Sequence, residues 1–154
     1  MITHRGYFAI AVVGAKTEVN VGTLWRSAYN FGAAFLVVIG PRYLARYSQA
    51  SDTMKAREKL PYFICEIWED FLKMRPYNCP LIAIEQTEKS RQLEKYNHPE
   101  RAIYILGAED TGVPKYVLDT CDQILKINTP TCLNVAVAGS IVCYDRQMKQ
   151  LRKA

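Results

Sequence analysis

The amino-acid sequence predicts a single α/β domain: a mostly parallel sheet with helices on both faces. Three observations carry this expectation. Short apolar runs, such as residues 8–14 and 35–40, recur along the chain and close in glycine. Segments with helical spacing alternate with these strand-like runs, the order expected of a parallel sheet covered on two sides. No repeat, low-complexity stretch or composition shift marks a linker, so residues 1–154 are read as one unit.

Residues 7–14 are apolar, β-branched and glycine-terminated, and read as a buried strand. Asn20 is placed as the N-cap of the following helix. On that helix Val21, Leu24, Trp25, Ala28 and Tyr29 share one stripe, and Gly32 stops it. Residues 34–39 form the next strand, ended by Gly40-Pro41. Residues 42–59 are a basic connection containing Tyr and Ser, with weak helical character. A short strand over residues 62–65 precedes a helix over 66–74. Pro80 precedes a strand over residues 81–84, and 87–96 is polar and helical in part. A strand over 101–106 ends in Gly107. Pro114 suits the first turn of a helix reaching Thr120. The last strand covers 123–127, and the last helix runs from Asn134 to about Leu151.

A chain of 154 residues can bury most of its unfolded surface without staples. With 49% hydrophobic and 23% charged residues it has the composition of an ordinary soluble domain. Its apolar runs are far short of a membrane span, and the N-terminal segment lacks the apolar region and cleavage site of a signal peptide. The five cysteines, Cys65, Cys79, Cys121, Cys132 and Cys143, are odd in number and form no CxxC pair. This argues against a disulfide framework and a zinc knuckle. Free thiols fit a reducing compartment, so a cytoplasmic protein with no metal and no membrane association is expected. Lys and Arg exceed Asp and Glu by 20 to 15, an excess compatible with a nucleic-acid partner but too mild to establish one.

Three polar segments stand out. The loop Gly107-Ala108-Glu109-Asp110-Thr111-Gly112-Val113-Pro114 carries two glycines that let the backbone approach a ligand, and places Glu109 at the rim of the strand ends, where open α/β sheets bind ligands. The loop Asn128-Thr129-Pro130-Thr131-Cys132-Leu133-Asn134 leads into a helix with no charge until Asp145. Thr131 or Asn134 can cap that helix, and the small residues Ala136, Ala138, Gly139 and Ser140 allow another backbone or a ligand to come close. In Asn20-Val21-Gly22-Thr23-Leu24-Trp25-Arg26, Arg26 sits at the edge of the apolar stripe, where its planar fork could pair with a phosphate. Taken singly, each segment has a plain structural explanation: a tight turn, a capped core helix, a solvated arginine.

Taken together and in order, N-x-G-x-x-x-R, then G-x-E-x-x-G-[VL]-P, then a Pro-containing loop into x-L-N-V-x-x-A, the chain resembles the SpoU-type RNA ribose 2′-O-methyltransferases of the SPOUT superfamily. The resemblance covers about residues 13–144. It implies a parallel sheet whose C-terminal segment threads a loop to form a trefoil knot. It also implies S-adenosylmethionine bound in that knot, a homodimer in which both subunits contribute to the active site, and an RNA substrate, tRNA for the short members that this chain looks like. No G-x-G-x-x-G follows the first strand, which sets aside a dinucleotide-binding enzyme.

Carried over position by position, the resemblance assigns Asn20, Arg26, Glu109 and Asn134 to the polar active site, and Ile84, Gly107, Ile127, Cys132 and Leu133 to cofactor contact. Gly107 and Ile127 would act through backbone groups, and Ile84, Ile127 and Leu133 would line an apolar slot for adenine. Cys132 departs from the pattern, which has serine there, and a thiol is the weaker hydrogen-bonding group. A guanidinium is a poor base, so Arg26 is expected to hold the phosphate and orient the 2′-oxygen, while Glu109 and Asn134 position the site. Lys16, Arg42, Arg46, Lys55, Arg57 and Lys59 are candidate phosphate contacts, and Tyr43 and Tyr47 candidate stacking groups. His4 and His98 are expected at the surface. A non-catalytic RNA-binding relative of the same fold, or an enzyme acting on rRNA, are the competing readings.

Overall fold

A computed structural model describes residues 6–40 and 59–152. The elements are β1 (Tyr7–Val13), α1 (Glu18–Asn30), β2 (Leu36–Ile39), β3 (Tyr62–Cys65), α2 (Trp68–Met74), β4 (Leu81–Ile84), β5 (Arg91–Gln92), a 3-10 turn (Leu93–Lys95), β6 (Arg101–Gly107), α3 (Lys115–Leu118), β7 (Gln123–Lys126) and α4 (Val135–Leu151). The strands form one sheet in the order β3-β2-β1-β6-β4-β7-β5. Every pairing is parallel. The strand expectations hold to within two residues. The exception is 87–96, expected as partly helical: it contains β5 followed by the short 3-10 turn.

The apolar runs are continuous because both sheet faces are covered. Phe8, Ile10, Val12, Leu36, Val38, Tyr104 and Leu106 face α1 and α4, where they meet Leu24, Trp25, Ala136 and Val142. The alternate residues Ala9, Ala11, Val37, Ile39, Ile103 and Ile105 face α2 and α3, against Trp68, Phe71 and Val117. Burying each such large side chain contributes roughly 1.5–3 kcal/mol.

Two helix starts set the site. Asn20 is not the cap of α1. Thr17 occupies that position, its Oγ1 accepting from the Asn20 N–H at 3.4 Å. A side-chain oxygen at the cap serves the third helical N–H, and this leaves the Asn20 amide free for tertiary contact. At α4 the expected cap holds: Asn134 Oδ1 accepts from the N–H groups of Ala136 at 2.9 Å and Val137 at 3.3 Å. The small residues behind it divide between two tasks. A Cβ on Gly139 would come within 2.3 Å of Leu24 and 2.9 Å of Leu106, so glycine there lets α1, α4 and β6 close up. Ser27 and Ser140 hydroxyls meet at 2.7 Å across the same seam. Ala138 instead faces the cavity described below.

β7 lies between β4 and β5, two strands joined by the loop 85–90. Gln86 in that loop reaches down to the chain emerging from β7, its Nε2 donating to the carbonyls of Ile127 and Thr129, both at 3.2 Å. Among the described residues no helix is long and apolar enough to cross a membrane.

Candidate active site

The carboxyl ends of β4, β6 and β7 open into a cavity of about 480 Å³, within the range of small-molecule sites. Ile84, Gly107, Ile127, Cys132 and Leu133, the five positions expected to meet a cofactor, all line it, and so does Glu109. Backbone fills the space beside Gly107: a Cβ there would lie 2.1 Å from the Gly112 carbonyl carbon and 2.3 Å from the Val113 nitrogen. Gly107 therefore lets the strand end and the returning loop touch. Gly112, at φ +65°, makes the return, its N–H donating to the Ala108 carbonyl at 2.7 Å. The result is a cradle of backbone polar groups with apolar walls from Ile84, Ile127 and Leu133. Cys132 is exposed at its edge.

Asn20, Glu109 and Asn134, separated by up to 114 residues, converge beside this cradle. Asn134 Oδ1 is committed to the α4 cap, so its Nδ2 points outward. Nδ2 donates to Asn20 Oδ1 at 2.9 Å and to Glu109 Oε1. Asn20 Nδ2 donates to the same Glu109 oxygen at 2.9 Å. Both amide orientations follow from the cap, and together they fix one carboxylate oxygen with two donors. Glu109 Oε2 receives no hydrogen bond from the described residues, so it remains available as an acceptor. Next to Glu109, Asp110 pairs with Lys16 at 2.5 Å, tying the loop to the start of α1.

Arg26 is not drawn into this triad. It is exposed on α1, six residues beyond Asn20, or about 9 Å along a helix axis. Its side chain makes no hydrogen bond or ion pair with the described residues, which leaves its fork open to an incoming anion.

Residues that sequence reasoning passed over complete the cavity. Glu85, Gln86 and Thr87 directly follow β4 and line the wall facing the 107–113 loop. A polar run at a strand's carboxyl end was the available signal, since Gly107 closes β6 and Ile127 follows β7 at the same edge of the sheet. Among the described residues no cluster of three His, Cys, Asp or Glu side chains could hold a metal ion.

Of the candidate phosphate contacts, Lys16 is engaged with Asp110 and Lys59 lies over the Tyr29 ring at 5.3 Å. Arg42, Arg46, Lys55, Arg57, Tyr43, Tyr47 and His4 lie outside the described residues. His98, expected at the surface, is 5% exposed. Its ring bonds to Tyr104 from β6 at 2.6 Å and to Asp145 from α4 at 2.8 Å, which is what makes burial tolerable.

A model of the SpoU rRNA Methylase family matches residues 7–144. Among curated proteins, the chain is 28% identical over 138 residues to the tRNA (guanosine(18)-2'-O)-methyltransferase TARBP1 of Mus musculus, a match covering 86% of this chain and 9% of that protein. The SpoU methyltransferase AviRb of Streptomyces viridochromogenes superposes with a TM-score of 0.84 at 19% identity, over 99% of this chain and 63% of the other. A structure described as giving insight into 2-OH methylation of C/U34 on tRNA superposes with a TM-score of 0.81 at 20% identity, over 97% and 94%. The chain thus spans about a tenth of the length of the mouse relative and under two thirds of AviRb.

Proposed function

The chain belongs to the SpoU rRNA methylase family, and we propose that it transfers the methyl group of S-adenosylmethionine to a ribose 2′-hydroxyl of RNA, with tRNA as the substrate. The observation that carries the reading is the convergence of Asn20, Glu109 and Asn134 at the mouth of a cavity lined by all five expected cofactor positions. The mouse relative's name supports tRNA over rRNA.

The residues present fit the cofactor. Ile84, Ile127 and Leu133 supply apolar walls for a purine, and the glycine-dependent backbone cradle supplies amide and carbonyl groups. When bound, S-adenosylmethionine supplies an electrophilic methyl group on a sulfonium. The chain's own residues do the rest by positioning. Glu109, held at Oε1 by the two asparagines, offers Oε2 as acceptor for a hydroxyl proton. Arg26 offers a planar fork to the phosphate that orients the 2′-oxygen, and alignment of this kind accounts for much of the acceleration in such reactions.

The exposed position of Arg26, away from the triad, supports a homodimer in which each subunit's arginine serves the partner's cavity. Val19 on α1 and Val137 and Tyr144 on α4 are 53%, 48% and 55% exposed, an apolar surface on the same two helices. The insertion of β7 between β4 and β5, under a loop that Gln86 ties to it, supports a threaded, knotted crossing. The free thiols support a cytoplasmic location.

Isothermal calorimetry with S-adenosylmethionine, followed by methyl transfer into bulk tRNA and bulk rRNA, tests the reading. Binding with transfer into tRNA is expected. No binding at millimolar cofactor would overturn it, and binding without transfer to either RNA would favour a non-catalytic relative. Arg26→Lys keeps the charge and loses the fork. It should lower kcat/KM for RNA about tenfold or more with cofactor affinity unchanged, and full retained activity would count against bidentate phosphate binding.

A further inference from the structure

We infer that Glu85, with Gln86 beside it, is a positioning residue that fixes the three cofactor-cradle loops against one another. This rests on the cofactor reading above and names residues that reading does not use. Glu85 follows the last residue of β4 and is half-buried in the cavity wall. Its two carboxylate oxygens are both spent on backbone donors. Oε1 accepts from the Gln86 N–H at 2.9 Å, and Oε2 accepts from the Val113 N–H at 2.8 Å, across 28 residues of sequence. Gly112 is shaped by the same contact: a Cβ there would lie 2.6 Å from Glu85 Oε2. Gln86 works in the other direction. Its Nε2 donates to the Ile127 and Thr129 carbonyls and to Thr129 Oγ1 at 3.1 Å, holding the loop after β7. The loop carrying both residues is itself braced, Ser90 Oγ donating to the Glu85 carbonyl at 2.7 Å. One dipeptide therefore joins the loops after β4, β6 and β7, the three that form the cavity.

Only a carboxylate does this at position 85. Glutamine offers one acceptor oxygen, so Glu85→Gln leaves either Gln86 N–H or Val113 N–H facing an NH₂ group. The consequence falls on preorganisation of the cradle, and so on cofactor affinity more than on methyl transfer once the cofactor is bound.

The test uses S-adenosylhomocysteine as the calorimetric probe and amide hydrogen exchange as the structural readout. Glu85→Gln should weaken binding about tenfold or more, and should raise the cofactor KM by more than it lowers kcat. Exchange at the Val113 amide should quicken in the ligand-free protein while the central strands stay protected. Gln86→Ala should weaken binding as well but leave Val113 protected, and it carries the test if Glu85→Gln does not fold. Binding by either folded variant within about twofold of the native protein would overturn the inference while leaving the cofactor reading intact. Absence of binding by the native protein would overturn that reading, and with it the claimed effect on affinity.

Discussion

Replacing Asn134 by aspartate is expected to leave the fold standing and to lower kcat/KM for methyl transfer by about a hundredfold or more, the scale associated with losing a preorganised polar group from an active site. The two roles of Asn134 separate in this variant. Aspartate caps helices as well as asparagine does, so the N–H groups of Ala136 and Val137 keep their acceptor and α4 keeps its start. The outward Nδ2 disappears, and with it the bonds to Asn20 Oδ1 and Glu109 Oε1. In its place a second carboxylate oxygen faces Glu109. Two carboxylates at such range cannot both ionise freely, and one is driven to hold a proton. Glu109 is then either repelled from its position or protonated, and in both cases it loses its value as an acceptor for the 2′-hydroxyl. Thermal melting within a few degrees of native, together with the activity loss, is the expected pair of results. Asn134→Ala is the contrast: it removes cap and bridge together and should also lose about 1 kcal/mol of stability. An Asn134→Asp protein as active as native would show that the triad does not set the position of Glu109.

The parts legible in the sequence are those whose cause is local. β1, β2, β4 and β6 are buried on both faces along their centres, so their central residues are apolar without interruption and they stop at glycine or polar residues. β5 was not legible. It consists of Arg91 and Gln92, which pair through their backbones with Leu125 and Lys126 while the Arg91 side chain reaches Gln123 and lies over the Tyr96 ring, and two polar residues offer no apolar alternation to read. The start of α1 was misplaced by three residues because Thr17 and Asn20 are both cap-forming types, and only the bond between them shows which serves. At the site, the cofactor-lining positions and the triad followed from motif order. Glu85 and Gln86 did not, because the partners that join them to the other loops lie 28 to 43 residues away in chain and are mostly backbone groups, which any residue type supplies. The burial of His98 was hidden for a different reason: a histidine before a proline reads as loop, and only the fold brings the Tyr104 and Asp145 side chains of β6 and α4 onto its ring.

That buried histidine makes stability depend on pH in a defined window. Arg146, 1% exposed, donates to the Pro99 and Glu100 carbonyls at 2.7 and 2.6 Å and to the Tyr104 hydroxyl at 3.1 Å. The Tyr104 hydroxyl in turn meets His98 Nδ1 at 2.6 Å, and because a carboxylate only accepts, His98 Nε2–H donates to Asp145, which Lys149 also reaches at 2.7 Å. In the neutral ring Nδ1 is then the acceptor for the Tyr104 hydroxyl, whereas a protonated ring would turn a second donor toward Tyr104. Burial is the largest influence and lowers the His98 pKa from 6.5 to about 4; the bond and charge of Asp145 pull the other way and lose, while Arg146 and Lys149 reinforce burial. The sign follows. Unfolded, the ring takes up a proton near pH 6.5; folded, it resists until about pH 4. The stability that His98 contributes is therefore complete above pH 6.5, declines as pH falls from 6.5 to 4, and changes little below that. A gap of that size corresponds to roughly 3 kcal/mol. Urea unfolding at a series of pH values should show the native protein losing about this much across the window. His98→Gln, which can still accept from Tyr104 and donate to Asp145 but does not titrate, should show a shallower fall. Two parallel curves would mean that His98 takes up its proton as readily folded as unfolded, and that acid acts on the fold through its carboxylates alone.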